Sequence, residues 1–261
     1  MEYIEFTQND AIATIRLNRP RKMNAIMQDM ASEFQQVLKQ VAEDDQIRAV
    51  ILTANGDGFC AGQDLKEAVE YGKDPDAKLS TIVRNTYNPI VTLITGMPKP
   101  VIAAVNGTAA GAGANLALAC DIVLASTRAS FVQSFTSIAL IPDTAGTWML
   151  PRLIGLARAK YLALTAEEVS PEKAEQIGMI HSVVDHRHLE EEAVKLAKKF
   201  TAMPTQALAL TKKGLNQSFD HNLEDQLELE AQLQEEAGTT EDFHEGINAF
   251  VEKRQPEFSG K

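Results

Sequence analysis

Cysteine is nearly absent: the 261 residues hold two, Cys60 and Cys120, far apart and outside any Cys-x-x-Cys or Cys/His cluster. That excludes a disulfide framework and a structural zinc site, and two buried thiols are expected. The five histidines, His181, His186, His188, His221 and His244, lack metal-ligand spacing and are expected in surface or structural roles. No metal or redox cofactor is implied. No apolar run reaches the eighteen or so residues that span a bilayer. The opening Met1-Glu-Tyr-Ile-Glu-Phe6 lacks the basic and apolar regions of a secretory leader, so a soluble cytoplasmic chain without a membrane partner is expected. Positive charge is short as well: 25 Lys and Arg face 36 Asp and Glu, a net charge of −11. This speaks against a sequence-independent nucleic-acid binder, yet a local basic patch can still hold one anionic ligand. There is no internal repeat, low-complexity tract, Gly/Ser linker, G-x-S-x-G elbow or Walker loop.

What is present is an alternation of short apolar runs and helical periodicity, with 44% hydrophobic residues, enough for one large core. Tyr3 to Phe6 and Ala11 to Leu17, separated by Asn9-Asp10, read as a hairpin. Met27 to Val41 has helical spacing and leads into the strand-like Arg48-Ala-Val-Ile-Leu-Thr53. Gly56-Asp-Gly-Phe-Cys-Ala-Gly62 reads as a glycine-punctuated loop before a helical stretch from Asp64 to the stop at Pro98-Lys-Pro100. Val101 to Val105 is a strand, Asn106-Gly107 a turn, Gly111 to Cys120 a helix entered through small residues, and Asp121 to Ala125 a strand. Beyond Thr147 the pattern is almost wholly helical. The expected division is an α/β core over residues 1–190 and a helical C-terminal region over 191–261.

Three places can carry chemistry. The strand, glycine turn and helix from Val101 to Asn115 leave the first helical amides able to bind negative charge, although close packing of small residues explains the same pattern. Phe59-Cys-Ala-Gly-Gln-Asp64 is a second glycine turn before helical sequence, with Asp64 placed as a helix cap. Two such donor sites after two strands suit a shared oxyanion pocket. Asp143, in the apolar stretch Leu140 to Pro151, sits where a raised pKa suits proton transfer; it is equally placed to cap the helix holding Trp148 and Leu150.

Leu17-Asn-Arg-Pro20 with Asn24-Ala25, Phe59-Cys-Ala-Gly-Gln-Asp-Leu65, Lys99-Pro-Val-Ile-Ala-Ala-Val-Asn-Gly107, Gly111-Ala-Gly113 and Ala119-Cys-Asp121 together resemble the enoyl-CoA hydratase/isomerase (crotonase) superfamily. The match runs over essentially the whole chain. It implies a spiral of ββα units, with a helical C-terminal trimerisation region and assembly as a trimer or a dimer of trimers. It also implies an acyl-CoA thioester as substrate, CoA being part of that substrate, and an oxyanion hole formed by the amides of Gln63 and Ala112. Substrate contacts carried over by motif are Ala61, Gln63, Asp64, Leu65 and Lys66, with Lys22, Asn24 and Ala25 in the segment for the adenine end of CoA. Tyr87, Asn115 and Phe135 are further candidate contacts, with Tyr87 and Asn115 each equally well explained by packing. Arg21, Lys22, Lys66, Lys253 and Arg254 are candidate partners of the CoA phosphates.

Hydratases of this superfamily resemble one another in two glutamates, one in the glycine-rich helix and one about twenty residues later. Asn115 and Phe135 stand at those positions here, and Asp143 stands where hydratases usually have glycine. One proton-carrying group in place of an acid–base pair suits isomerisation better than hydration. The segments Ile141 to Arg152, Tyr87 to Ile90 and Phe250 to Gly260 look closely like the ring-1,2-epoxyphenylacetyl-CoA isomerases of bacterial phenylacetate catabolism. The rival expectations are a Δ3,Δ2-enoyl-CoA isomerase using the same Asp143, a dehalogenase using it as a nucleophile, and a non-catalytic acyl-CoA or RNA-binding relative. The dehalogenase is disfavoured because Phe135 resembles the position of that group's tryptophan.

Overall fold

The computed structural model describes residues 1–74 and 76–261. Its first two strands, β1 (Ile4–Asn9) and β2 (Ile12–Leu17), form the expected hairpin, with Asn9 opposite Ile12 and Asp10 in the left-handed conformation (φ 51°) that the tight turn requires. Helix α1 (Gln28–Glu43) then lays a buried stripe of Met30, Phe34, Val37, Leu38 and Val41 on the sheet and feeds β3 (Ala49–Ala54), which is buried throughout.

From β3 the chain repeats a two-strand step. β3 is followed at once by the short β4 (Gly58–Cys60), then by α2 (Leu65–Tyr71), α3 (Leu79–Ile82), a π-helical turn at Val83–Tyr87 and α4 (Asn88–Thr95). β5 (Val101–Val105) is followed by β6 (Thr108–Ala110) and α5 (Ala112–Leu118). β7 (Ile122–Ser126) is followed by β8 (Ser130–Val132) and a 3-10 turn at Ser134–Ile138. The first strand of each step joins one sheet, β1-β2-β3-β5-β7, parallel from β2 onward; the second joins another, β4-β6-β8, also parallel. This is the α/β spiral of ββα units that the sequence resemblance implies.

The chain continues through α6 (Gly146–Ile154), α7 (Leu156–Thr165), β9 (Glu168–Val169) antiparallel to β8, α8 (Pro171–Gln176) and β10 (Ser182–Val184) parallel to β7. Both last strands fall in the stretch read as helical. At two and three residues they are too short to show any alternation, and so is β4, which reads as a loop.

The buried strands are two-faced. In β3, Val50 and Leu52 join the core beneath α1, while Ala49 and Ile51 face the opposite way; in β5, Val101 and Ala103 alternate with Ile102 and Ala104 in the same manner. Helix α9 (Leu189–Thr201) covers that second face with Leu189, Ala193 and Ala197 at a spacing of four. The expected boundary at 190/191 therefore falls inside a helix that seals the sheet, and the packing changes character only after it. There α10 (Thr205–Gln217), α11 (Leu223–Gly238) and α12 (Glu241–Glu252) follow. Arg48 fastens this region to the body by donating to Thr205 Oγ1, the Met203 carbonyl and the Phe258 carbonyl. Lys212 Nζ does the same at Asp121 (2.8 Å) and the Ile94 carbonyl (2.9 Å). α10 to α12 and the turns between them leave Leu215, Phe219, Leu223, Phe250 and Val251 exposed. Among the described residues no helix is long and apolar enough to cross a membrane.

Candidate active site

Parallel pairing of β4 with β6 brings two chain segments to one level at the carboxyl ends of neighbouring strands, the place where open α/β sheets bind ligands. After β4 the chain turns at Gly62 (φ 86°), and Gln63 forms a parallel bridge with Ile26. Ile26 donates to the Gly62 carbonyl and accepts from Asp64 N–H, so Gln63 turns its own N–H to the other side. After β6 the chain turns at Gly111 and enters α5, whose first residue, Ala112, has no carbonyl a turn behind it within the helix. Among the described residues neither the Gln63 nor the Ala112 N–H donates to a protein acceptor.

The two turns lie against each other. A Cβ on Gly62 would stand 3.3 Å from Ala112 N and 3.0 Å from the Ala110 carbonyl oxygen, and a Cβ on Gly113 would run into the Cys60 carbonyl. Glycine at both positions is what lets the two backbones meet.

A cavity of about 820 Å³ opens beside these amides. Lys22, Ala25, Ala61, Gln63, Asp64 and Leu65 line it, as do Lys66, Tyr87, Ala112, Phe135 and Asp143, so the structure gathers eleven of the thirteen sequence candidates. The other two, Asn24 and Asn115, are wholly buried and absent from its lining. Asn24 donates from Nδ2 to the Asn55 and Gly58 carbonyls and accepts from Arg19 N–H, knitting the N-terminal loop to β4. Asn115 Nδ2 donates to the Asp143 carbonyl at 2.8 Å, and its Oδ1 accepts from Gln133 Nε2 at 2.8 Å. Protein partners occupy the side-chain amides of both residues.

Asp64 lines the cavity with an engaged carboxylate: it caps α2 through the Lys66 and Glu67 N–H groups and pairs with Arg19 at 2.6 Å. Burial works to raise its pKa, but the Arg19 bond and the two amides outweigh that and hold it below the ordinary range. Asp143 is the opposite case. Burial pushes its carboxyl above the ordinary aspartate range, and the Thr144 hydroxyl at 2.8 Å and its own N–H offset this only in part. The capping role expected for its side chain is absent: α6 begins after Ala145, and it is the Asp143 carbonyl that accepts from Gly146 N–H. Thr144 (φ 52°) and Ala145 (φ 61°) are both left-handed, a turn that costs free energy in non-glycine residues and turns the chain sharply just after Asp143.

Tyr87 closes the π-helical turn and donates to Gln63 Oε1 at 2.5 Å, while Gln63 Nε2 donates to Glu67. Burial first, and then nearby negative charge including that of Asp143, keep the Tyr87 hydroxyl protonated as a donor. Phe135 contributes an aromatic wall. Of the cations expected for phosphates, Lys22 and Lys66 reach the cavity. Arg21 and Lys253 do not, and Arg254 is held by Glu245 and Glu252. Arg84, Leu79 and Ile138 also line it and escaped the sequence reading, because they lie in helical or loop sequence without a motif; Ile141, the start of the segment read as isomerase-like, lines it too. Cys60 is buried with its thiol pushed up to about 12, the expected inert state.

A second cavity, about 840 Å³, lies between α4, α10 and the C-terminal tail and shares no lining residue with the first. Its Arg48 and Lys212 are already bonded to protein acceptors. The first cavity can therefore hold a carbonyl oxygen that gains negative charge at two free amides, beside a carboxyl poised to exchange a proton.

The enoyl-CoA hydratase/isomerase family model matches residues 7–261. Over 261 residues, all of both chains, the sequence is 45% identical to the 1,2-epoxyphenylacetyl-CoA isomerase of Escherichia coli. It is 42% identical to a Rhodobacter capsulatus protein named "Probable enoyl-CoA hydratase", over 99% of this chain and 98% of the relative. Among solved structures, the enoyl-CoA hydratase from Bacillus anthracis superposes with a TM-score of 0.90 at 36% identity, covering 99% of this chain and 100% of that one.

Proposed function

We propose, from the premise that this chain belongs to the enoyl-CoA hydratase/isomerase family, that it is an acyl-CoA isomerase in which Asp143 is the proton carrier. The observation that carries this reading is the state of the carboxylates. Asp64 and Asp143 are those lining the described cavity, and Asp64 is engaged by Arg19 and two amides. Hydration across a double bond calls for a group to activate water and a group to protonate carbon; here Asn115 is buried and Phe135 is apolar. A double-bond shift needs one group that takes a proton and returns it elsewhere.

In this mechanism the thioester oxygen lies between the Gln63 and Ala112 amides, Asp143 removes an acidic proton, the amides hold the resulting dienolate, and Asp143 reprotonates another carbon. No metal or redox group takes part, and CoA belongs to the substrate. The substrate we favour is 2-(1,2-epoxy-1,2-dihydrophenyl)acetyl-CoA. The ring C–C bond shared with the epoxide opens electrocyclically to give the seven-membered oxepin, and Asp143 moves a proton from the acetyl carbon to a ring carbon, so that the oxepin thioester forms with no atom gained or lost. The support is the full-length similarity to the Escherichia coli isomerase and an apolar cavity wall that includes Phe135 and Ile141. Lys22, Lys66 and Arg84 supply the cationic side for CoA phosphates. The exposed apolar residues of the C-terminal helices fit self-association as a trimer or a dimer of trimers.

The test is turnover of the ring epoxide, of trans-3-hexenoyl-CoA and of crotonyl-CoA by wild type and Asp143→Asn. The expected result is preference for the epoxide and a loss of about 10²- to 10⁴-fold in the mutant. Preference for hexenoyl-CoA moves the protein to Δ3,Δ2 isomerisation. Crotonyl-CoA hydration as fast as isomerisation, or an active Asp143→Asn enzyme, overturns the proposal, and tight binding without any turnover indicates a non-catalytic relative.

A further inference from the structure

We infer that Asn115 is a positioning residue that ties Asp143 to the oxyanion donor Ala112 through a single turn of helix. The inference rests on the proposed role of Asp143. Ala112 and Asn115 are three residues apart on α5, so they stand on one face of the same short helix. From that face the Asn115 amide reaches the Asp143 carbonyl at 2.8 Å. The same carbonyl also accepts from Gly146 N–H at 2.8 Å, so both of its lone pairs are used and the Asp143 main chain is held from two sides.

The amide cannot be turned round. With its oxygen toward Asp143 it would set two acceptors against each other, and Gln133 Nε2, which donates to Asn115 Oδ1 at 2.8 Å, would lose its partner. Gln133 is itself buried, and its Oε1 has no partner among the described residues. Reversing Gln133 would bring that oxygen against Asn115 Oδ1. The relay Gln133 to Asn115 to Asp143 therefore has one direction.

Space is fixed as well as polarity. A Cβ on Gly146 would stand 2.9 Å from Asn115 Oδ1 and 2.7 Å from its Cγ, so the first residue of α6 is pressed on the amide. The Asn115 amide and the turn that follows Asp143 are thus in direct contact. Asn115 thereby fixes the Asp143 main chain from outside the cavity lining. Two left-handed residues, Thr144 and Ala145, follow Asp143 directly, and a turn under that strain needs such an anchor to persist.

The experiment compares wild type, Asn115→Ala and Gln133→Met by two readouts: steady-state kinetics across pH with the better thioester, and hydrogen–deuterium exchange of the segment 139–147. In Asn115→Ala, kcat should fall by about 10- to 100-fold with KM within about twofold, because the base is displaced while binding contacts remain. The acid limb of kcat/KM should move to lower pH as Asp143 gains solvent. Exchange in 139–147 should quicken. Gln133→Met, which leaves the Asn115 amide but not its orienting donor, should show smaller changes of the same sign and serves if Asn115→Ala does not fold. Unchanged exchange in both variants overturns the tether. Faster exchange with unchanged kcat and acid limb overturns the positioning role and leaves a structural one. Exchange is read whether or not Asp143→Asn remains active, so failure of the proposed mechanism and failure of this inference are separable.

Discussion

The floor of the cavity and its outer wall are built on opposite terms. On the floor, Gln63 and Ala112 come from glycine turns pressed together, and behind it, outside the cavity lining, Asn24, Asn115 and Gln133 are buried with amide groups bonded to the protein. On the wall, Leu65, Leu79, Ile138 and Ile141 are more than half exposed, Ile141 reaching 78%. Close packing leaves no freedom to move a donor, whereas an exposed apolar rim can change with little consequence for the fold. The difference separates two tasks: the floor fixes how charge is stabilised, and the wall selects what is held there.

The sharpest way to break this contrast is Gly113→Ala. By helix propensity alone, alanine at this α5 position would stabilise by roughly 0.5–1 kcal/mol. The added methyl instead meets the Cys60 carbonyl group, with its carbon and the Cys60 Cβ both at 2.7 Å. Overpacking of this kind costs about 3 kcal/mol, and the urea midpoint should fall accordingly, with kcat lost as the two amides separate. An unchanged or raised midpoint would show that the floor is not close-packed.

Asp143→Asn sharpens the contrast in the other direction. Burial raises the folded-state pKa of Asp143 above its unfolded value. A group shifted this way contributes stability that is complete below the unfolded pKa and lost as pH rises through the folded pKa. At neutral pH the ionised carboxylate therefore works against folding, and the mutant should lose activity yet melt higher than wild type, the gain fading toward acid pH. The same shift places the acid limb of wild-type kcat/KM above the ordinary aspartate range, since the base must be ionised to act. Equal melting temperatures from acid to neutral pH would contradict the burial of this carboxyl.

The division between floor and wall also explains what the sequence could convey. Glycine turns after apolar strands marked two segments with free amides, the family resemblance pointed to Gln63 and Ala112 within them, and a lone carboxyl among apolar residues marked Asp143. Their convergence depends on the register of β4 against β6, three-residue strands that leave no periodic trace. Asn24 and Asn115 lie behind the cavity lining, which the sequence could not show, because an amide that bonds the main chain and one that bonds a ligand are the same residue in a sequence. Asp64 and Asp143 looked alike as helix caps; only the geometry shows Asp64 bonding the α2 amides while Asp143 offers its carbonyl. That the expected boundary at 190/191 falls within α9 has a related reason: Leu189, Ala193 and Ala197 give a helical stripe but do not say which sheet face it covers.

The smallest expected effect belongs to the wall. Ile141 lines the cavity yet is 78% exposed, so its truncation removes almost no buried surface from the folded protein. Ile141→Ala should leave the melting temperature unchanged, because surface substitutions of this sort stay within about 0.5 kcal/mol. A bound acyl group would cover part of that side chain, and losing about 1 kcal/mol of such contact corresponds to roughly a fivefold rise in KM. Because Ile141 lies two residues before Asp143, kcat is the decisive control: it should hold within about twofold if the Asn115 tether isolates the base from its neighbour. A fall in kcat as large as that in Asn115→Ala would mean that wall and floor move together, and the separation of their tasks would not stand.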